Sequence, residues 1–205
     1  MNIERTAIIV LDPQNDFFSP KGKLYQAMEP VLSKHQVVSH LNELLEAGRS
    51  AGATIILVPL SFEENCPEAG PEPYGIMQPV AQSEAFIRGT WGAEVAETLT
   101  TTPADIIIHK NHISGFEGTD LEAQLRDRNI ETVVLCGGLT DVCVETTMRQ
   151  AYDKRFEVFT IKDATATIDL DKHEQTVNQN YLLFSKPLST QEFIQIIDEN
   201  RCKAA

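Results

Sequence analysis

The sequence predicts an α/β fold of three layers, a mainly parallel six-stranded sheet between two layers of helices. Two observations carry this. Short apolar runs rich in β-branched residues alternate with longer stretches of helical period, the pattern of parallel strands joined by right-handed crossovers. The chain of 205 residues has a hydrophobic fraction of 42%, enough for a sizeable core. It shows no internal repeat, low-complexity stretch or linker. Residues 1–205 are therefore expected to form a single domain.

The elements follow in order. Thr6–Leu11 reads as a buried strand, since Ala7 to Leu11 are all apolar and three of them are β-branched. Residues 30–51 place Val31, Val37, Val38, Leu41, Leu44, Leu45 and Ala51 near one helical face, with Gly52 as a stop signal. Thr54–Leu60 is a second strand. From Ser61 to Gly89 periodicity lapses amid prolines and glycines, and a loop this long is usually functional or mobile. Trp91–Leu99 reads as helical, 105–109 as a third strand and 119–127 as a helix with Asp120 and Glu122 near its positive end. Strand 132–136, helix 141–152, strand 157–161, helix 171–183, a short strand at Phe184–Ser185 and helix 189–199 complete the chain.

Charge narrows the function. Lys and Arg number 17 against 30 Asp and Glu, for a net charge of -13. Such a surface repels phosphate backbones and anionic lipid, so neither nucleic acid nor membrane is an expected partner. The first apolar run is shorter than the roughly 7–15 residues of a secretory signal, and a cytoplasmic location is expected. The four cysteines, Cys66, Cys136, Cys143 and Cys202, form no CxxC pair and are expected to be reduced thiols.

Ligands of an open parallel sheet bind beyond the carboxyl ends of its strands. Asp12 directly follows the first strand, Lys110 the third, and Cys143 lies just past the fourth. Cys143 falls in the first turn of a helix capped by Thr140 or Asp141, where unpaired backbone amides favour thiolate. Its alternative reading is a small core hydrophobe, the reading kept for Cys136. Asp12 sits before Pro13, which biases it towards extended geometry; a carboxylate there is either a turn former or a desolvated general base. Lys110 taken alone reads as a solvated strand end, but beside a thiol and a carboxylate it would stabilise both anions.

Three separated motifs then carry a resemblance. Leu11-Asp12-Pro13-Gln14-Asn15-Asp16-Phe17, Lys110 followed by Gly115-Phe116-Glu117-Gly118-Thr119-Asp120-Leu121, and Gly137-Gly138-Leu139-Thr140-Asp141-Val142-Cys143-Val144 stand in the order found in isochorismatase-like cysteine hydrolases. Asp163-Ala164 after the fifth strand also fits. The chain resembles that family, which includes nicotinamidase, N-carbamoylsarcosine amidohydrolase and ureidoacrylate amidohydrolase. The resemblance implies strand order 3-2-1-4-5-6, Cys143 as nucleophile, Asp12 as general base and Lys110 as their electrostatic partner. It further implies a cis peptide at Gly138–Leu139 and an oxyanion hole made by the Leu139 and Cys143 amides. The expected substrate is a small amide or ureido compound, cleaved through a thioester. A dimer or tetramer is also implied.

Departures shape the alternatives. Nicotinamidases of the family carry metal ligands after the second strand, whereas this chain has Pro59-Leu60-Ser61-Phe62-Glu63-Glu64-Asn65 and no histidine between His40 and His109. No metal or other cofactor is expected, and His109 and His112 read as strand-end and loop polarity. Some relatives that hydrolyse the vinyl ether of isochorismate lack the cysteine, so that activity ranks second. A catalytically silent binding protein on the same fold ranks third. Phe17, Phe62, Trp91 and Phe116 are the aromatic candidates for substrate contact, with Gln14 as a polar one. The stretch Pro67–Pro79 would serve as a lid or a subunit contact.

Overall fold

A computed structural model describes residues 1–204, with side chains through Asn200; the Cys202 thiol lies outside that range. Its six strands are β1 Thr6–Leu11, β2 Thr54–Val58, β3 Ile106–Ile107, β4 Thr132–Gly138, β5 Glu157–Ala166 and β6 Lys186–Leu188. They form one sheet in the order β3-β2-β1-β4-β5-β6, every pairing parallel. The helices are α1 Asn15–Phe18, α2 Tyr25–Lys34, α3 Val37–Ser50, α4 Met77–Ser83, α5 Leu121–Asp127, α6 Glu145–Asp153, α7 Leu170–Gln175, α8 Tyr181–Phe184 and α9 Thr190–Ala204. β1 and β4 are buried throughout, which is why they read as unbroken apolar runs.

Alternate residues of β1 feed two apolar layers. Ile8 and Val10 pack with Leu41, Leu44 and Phe193 on one side of the sheet. Ala7, Ile9 and Leu11 pack with Leu125, Met148 and Tyr181 on the other. Fully burying one such side chain stabilises the fold by about 1.5–3 kcal/mol.

Several elements differ from their sequence reading. The helix expected over 30–51 is two helices, broken where Gln36 turns left-handed at φ 49°. Val31 and Val37 would stand about 120° apart on a straight helix; the break lets both be buried. The helix expected at 91–99 is a short turn at Trp91–Ala93 followed by irregular chain. That chain pairs with the segment after β1 instead: Ala96 donates to the Pro13 carbonyl at 2.8 Å and Asn15 to the Glu94 carbonyl at 3.0 Å. β5 runs past its predicted end to Ala166 through a register shift opposite Leu135 and Gly137, so Asp163-Ala164 lie inside it. The sixth strand begins at Lys186, two residues later than expected.

Residues 63–85 make a closed excursion from the sheet edge. Phe62 donates to the Phe86 carbonyl at 3.0 Å and Arg88 to the Phe62 carbonyl at 2.8 Å, so the ends of the excursion meet. It contains a turn at Pro67–Ala69 and helix α4.

Candidate active site

The carboxyl end of β1 is held between β2 and β4, with Leu11 opposite Val58 and Gly137. Gly137 has φ 101°, and a Cβ there would collide with the Leu11 carbonyl, so the close approach of β4 to β1 requires glycine. Asp12 donates its amide to Val58 at 3.0 Å and then leaves the ladder with φ 50°. Pro13 does not hold it extended as the sequence suggested. Aspartate is among the few residues that tolerate this left-handed geometry.

Lys110 continues the edge of the sheet beyond β3: its amide donates to Pro59 at 2.9 Å and its carbonyl accepts from Ser61 at 2.8 Å. Its main chain bridges to Leu60, and its side chain brings Nζ to 2.8 Å from Asp12 Oδ1 and 3.5 Å from Cys143 Sγ. Nζ also donates to the His112 carbonyl at 3.0 Å. Asp12, Lys110 and Cys143 are 0%, 2% and 4% exposed. Among the described residues, no N–H or O–H group other than this ammonium meets the Asp12 carboxylate.

Cys143 belongs to a widened turn, Thr140–Val144, that leads into α6; the Leu139 carbonyl accepts from both Val142 and Val144. The Gly138–Leu139 peptide ahead of it is cis. Three contacts pin the turn from behind. Tyr181 Oη donates to the Thr140 carbonyl at 3.0 Å, Thr167 Oγ1 to Asp141 at 2.5 Å, and Thr140 Oγ1 lies 3.0 Å from His173 Nδ1. Burial, with the His35 ring tilted against it at 4.5 Å, lowers His173 to about 4 and favours its neutral imidazole.

Burial raises the Asp12 carboxyl above its ordinary range, with Lys110 opposing. Burial alone would lower Lys110, but Asp12 and Cys143 together outweigh it and hold the ammonium charged. Burial, and next to it the Asp12 charge, pushes the Cys143 thiol well above the ordinary thiol range; Lys110 opposes this without overcoming it. The first-turn position was expected to favour thiolate. Desolvation outweighs it and favours the thiol form of Cys143.

Asp12, Cys143 and Leu139 border a cavity of about 180 Å³. Of the residues expected to touch substrate, Phe17 and Phe62 line it. Phe116 does not: it packs in the opposite apolar layer, stacked on Phe156. Trp91 is 39% exposed, outside the cavity, and donates its indole N–H to Glu97 at 3.0 Å. Gln14 is fully buried and its amide is spent on main chain, bonding both the amide and the carbonyl of Leu60 and the Ala93 carbonyl.

Gln14 acts with its two neighbours as a bracket that sequence reading missed. Asn15 donates to the Trp91 carbonyl and accepts from the Glu97 amide, while the buried Asp16 accepts from the Phe86 and Lys23 amides. Together they fasten residues 60–97 against β1. His112, read from the sequence as loop polarity, stands at the exposed rim of the cavity, and α4 supplies part of its wall. After β2, Leu60 and Phe62 are buried apolar groups and Ser61 accepts from Arg88, a set unsuited to a metal. Among the described residues no group of three His, Cys, Asp or Glu gathers elsewhere.

Comparison with known proteins gives consistent similarities. Residues 6–192 match the family model described as the Isochorismatase domain. A curated relative, ureidoacrylate amidohydrolase RutB of Caulobacter vibrioides, is 34% identical over 171 residues, 78% of this chain and 76% of its own. Among solved structures, a cysteine hydrolase from Pseudomonas syringae pv. phaseolicola superposes with TM-score 0.82 at 29% identity, covering 97% of this chain and 95% of that one. N-carbamoylsarcosine amidase from Thermoplasma acidophilum gives 0.73 at 25% identity, covering 90% and 96%.

Proposed function

We propose that this chain, which belongs to the isochorismatase family, hydrolyses the C–N bond of a small amide or ureido compound with Cys143 as nucleophile. The observation that carries the reading is one ammonium, Lys110 Nζ, held 2.8 Å from Asp12 Oδ1 and 3.5 Å from the sulfur of Cys143, two residues that border a cavity. The names of the relatives, an amidohydrolase and an amidase, support the same class of bond.

In the proposed cycle Asp12 accepts the thiol proton as Sγ attacks the substrate carbonyl carbon. Its raised proton affinity suits it to hold that proton, and the Lys110 charge offsets the negative charge that develops on sulfur. The backbone amides of Leu139 and Cys143 are assigned to the oxyanion; one such donor is worth about 3–4 kcal/mol. The C–N bond breaks as Asp12 returns its proton to the leaving nitrogen, leaving a thioester on Cys143. Water then gives a proton to Asp12 and attacks the thioester carbon. The carbon–sulfur bond breaks, the acid departs, and sulfur recovers its proton from Asp12.

Release of ammonia from a panel of small primary amides tests this. The wild-type chain should turn over at least one amide, Cys143→Ala none, and an acid-quenched reaction should show an acyl group on Cys143 by mass spectrometry. Undiminished turnover by Cys143→Ala would remove the mechanism. The same reading includes a cytoplasmic setting with residues 1–205 acting as one domain. Among the described residues no helix is long and apolar enough to cross a membrane, and Cys66, Cys136 and Cys143 are free thiols. A homo-oligomer belongs to it as well, supported by Leu182, Leu183 and Tyr152, which stand exposed on neighbouring helices. Light scattering after size exclusion should give more than a monomer mass.

A further inference from the structure

We infer that the acyl group this site accepts is uncharged, apolar and about the size of a six-membered ring, and that substrates with a carboxylate on that group are excluded. The inference rests on the amide-hydrolase reading of the site and adds the substrate class.

Apart from Asp12, Cys143 and the rim residue His112, every side chain lining the cavity is apolar. Leu24 comes from the turn before α2, Phe62 from the sheet edge, Met77 and Val80 from α4, Phe86 from the far end of the excursion and Ile168 from beyond β5. The atoms they expose to the cavity are apolar throughout. A volume of about 180 Å³ compares with about 150 Å³ for an apolar cavity that takes benzene.

Among the described residues no lysine or arginine lines this space. Lys110, beside Asp12, has no exposed side-chain surface and is already paired. Lys23 is tied to the Glu84 carbonyl at 2.7 Å. Arg88 pairs with Glu63 at 2.8 Å and borders a separate hollow with Ser61 and His109. A carboxylate entering the cavity would lose its water, meet no opposite charge and approach the negative Asp12. The overall charge of -13 adds repulsion at longer range. An apolar ring meets none of these costs and gains contact with carbon on all sides.

A matched pair tests it: benzamide against 4-carbamoylbenzoate, each followed for ammonia release by the wild-type chain and for binding to Cys143→Ala by calorimetry. We expect benzamide to be favoured by ~100-fold or more in both kcat/KM and affinity. Met77→Arg, which places a cation in the wall, should narrow the affinity ratio at least ~10-fold. Preferential binding of benzamide without turnover of either compound would uphold the cavity assignment and end the hydrolase reading. Equal or tighter binding of the carboxylate overturns the inference whether or not turnover occurs, and so does the absence of benzamide binding. Should Met77→Arg fail to fold, the matched pair on the unaltered wall decides the matter.

Discussion

Burial raises the Asp12 carboxyl above its ordinary range, and one neighbour, Lys110 at 2.8 Å, opposes that rise. The sign of its effect on rate follows. The carboxylate must be unprotonated to take the thiol proton, so kcat/KM should fall as pH falls through the raised Asp12 pKa, above the usual carboxylate range. Lys110→Met removes the opposing cation; the acid limb should move to higher pH and the plateau drop about 10²–10³-fold, which a pH–rate profile measures. Alkylation separates the thiols. Iodoacetamide should label Cys143, which borders the cavity, and spare Cys136, which is fully buried in β4; Asp12→Asn should suppress the Cys143 reaction. Equal labelling of both cysteines would contradict the assigned roles. That Asp12, Lys110 and Cys143 would meet was legible because Asp12 directly follows the first strand, Lys110 the third, and Cys143 lies just past the fourth. Their titration was not, because burial depends on residues distant in sequence.

At the scale of elements, main-chain bonding decided what the sequence could show. β1, β2 and β4 announce themselves through continuous apolar runs. The 91–99 stretch reads as helical by composition, yet its carbonyls and amides are taken by Pro13, Gln14 and Asn15. No local pattern records a partner about eighty residues away. Asp16→Ala should free the Phe86 and Lys23 amides, raise KM several-fold and open residues 63–85 to limited proteolysis. Gly137→Ala meets both an unfavourable φ and the Leu11 carbonyl, and should cost about 2–4 kcal/mol in urea denaturation.

For the whole molecule, acid stability turns on the pocket behind the nucleophile turn. His173 is 1% exposed with a folded pKa lowered to about 4, against about 6.5 when unfolded. Below pH 6.5 the unfolded chain binds a proton that the folded chain refuses. Stability is therefore full above that pH and falls as pH drops towards 4, by up to about 3 kcal/mol. His173→Gln should flatten this slope in denaturation curves taken at pH 7 and pH 4.5. Three-layer architecture and strand order were readable from alternating periods and the motif resemblance. The cavity was not, since its wall is assembled from segments between Asp12 and Ile168 whose apolar residues look like ordinary core.

Because Phe62, Phe86 and Arg88 clasp the two ends of residues 63–85 through main-chain bonds, the piece between them behaves as a cassette. Its length can change at little entropic cost, since loop closure depends only weakly on loop length. Met77 and Val80 would be exchanged with the cassette, whereas Asp12, Lys110 and Cys143 lie outside it, past the carboxyl ends of the strands, and would keep their places. Selection, natural or in the laboratory, is thereby offered a way to redraw which acyl groups enter while leaving bond breaking alone.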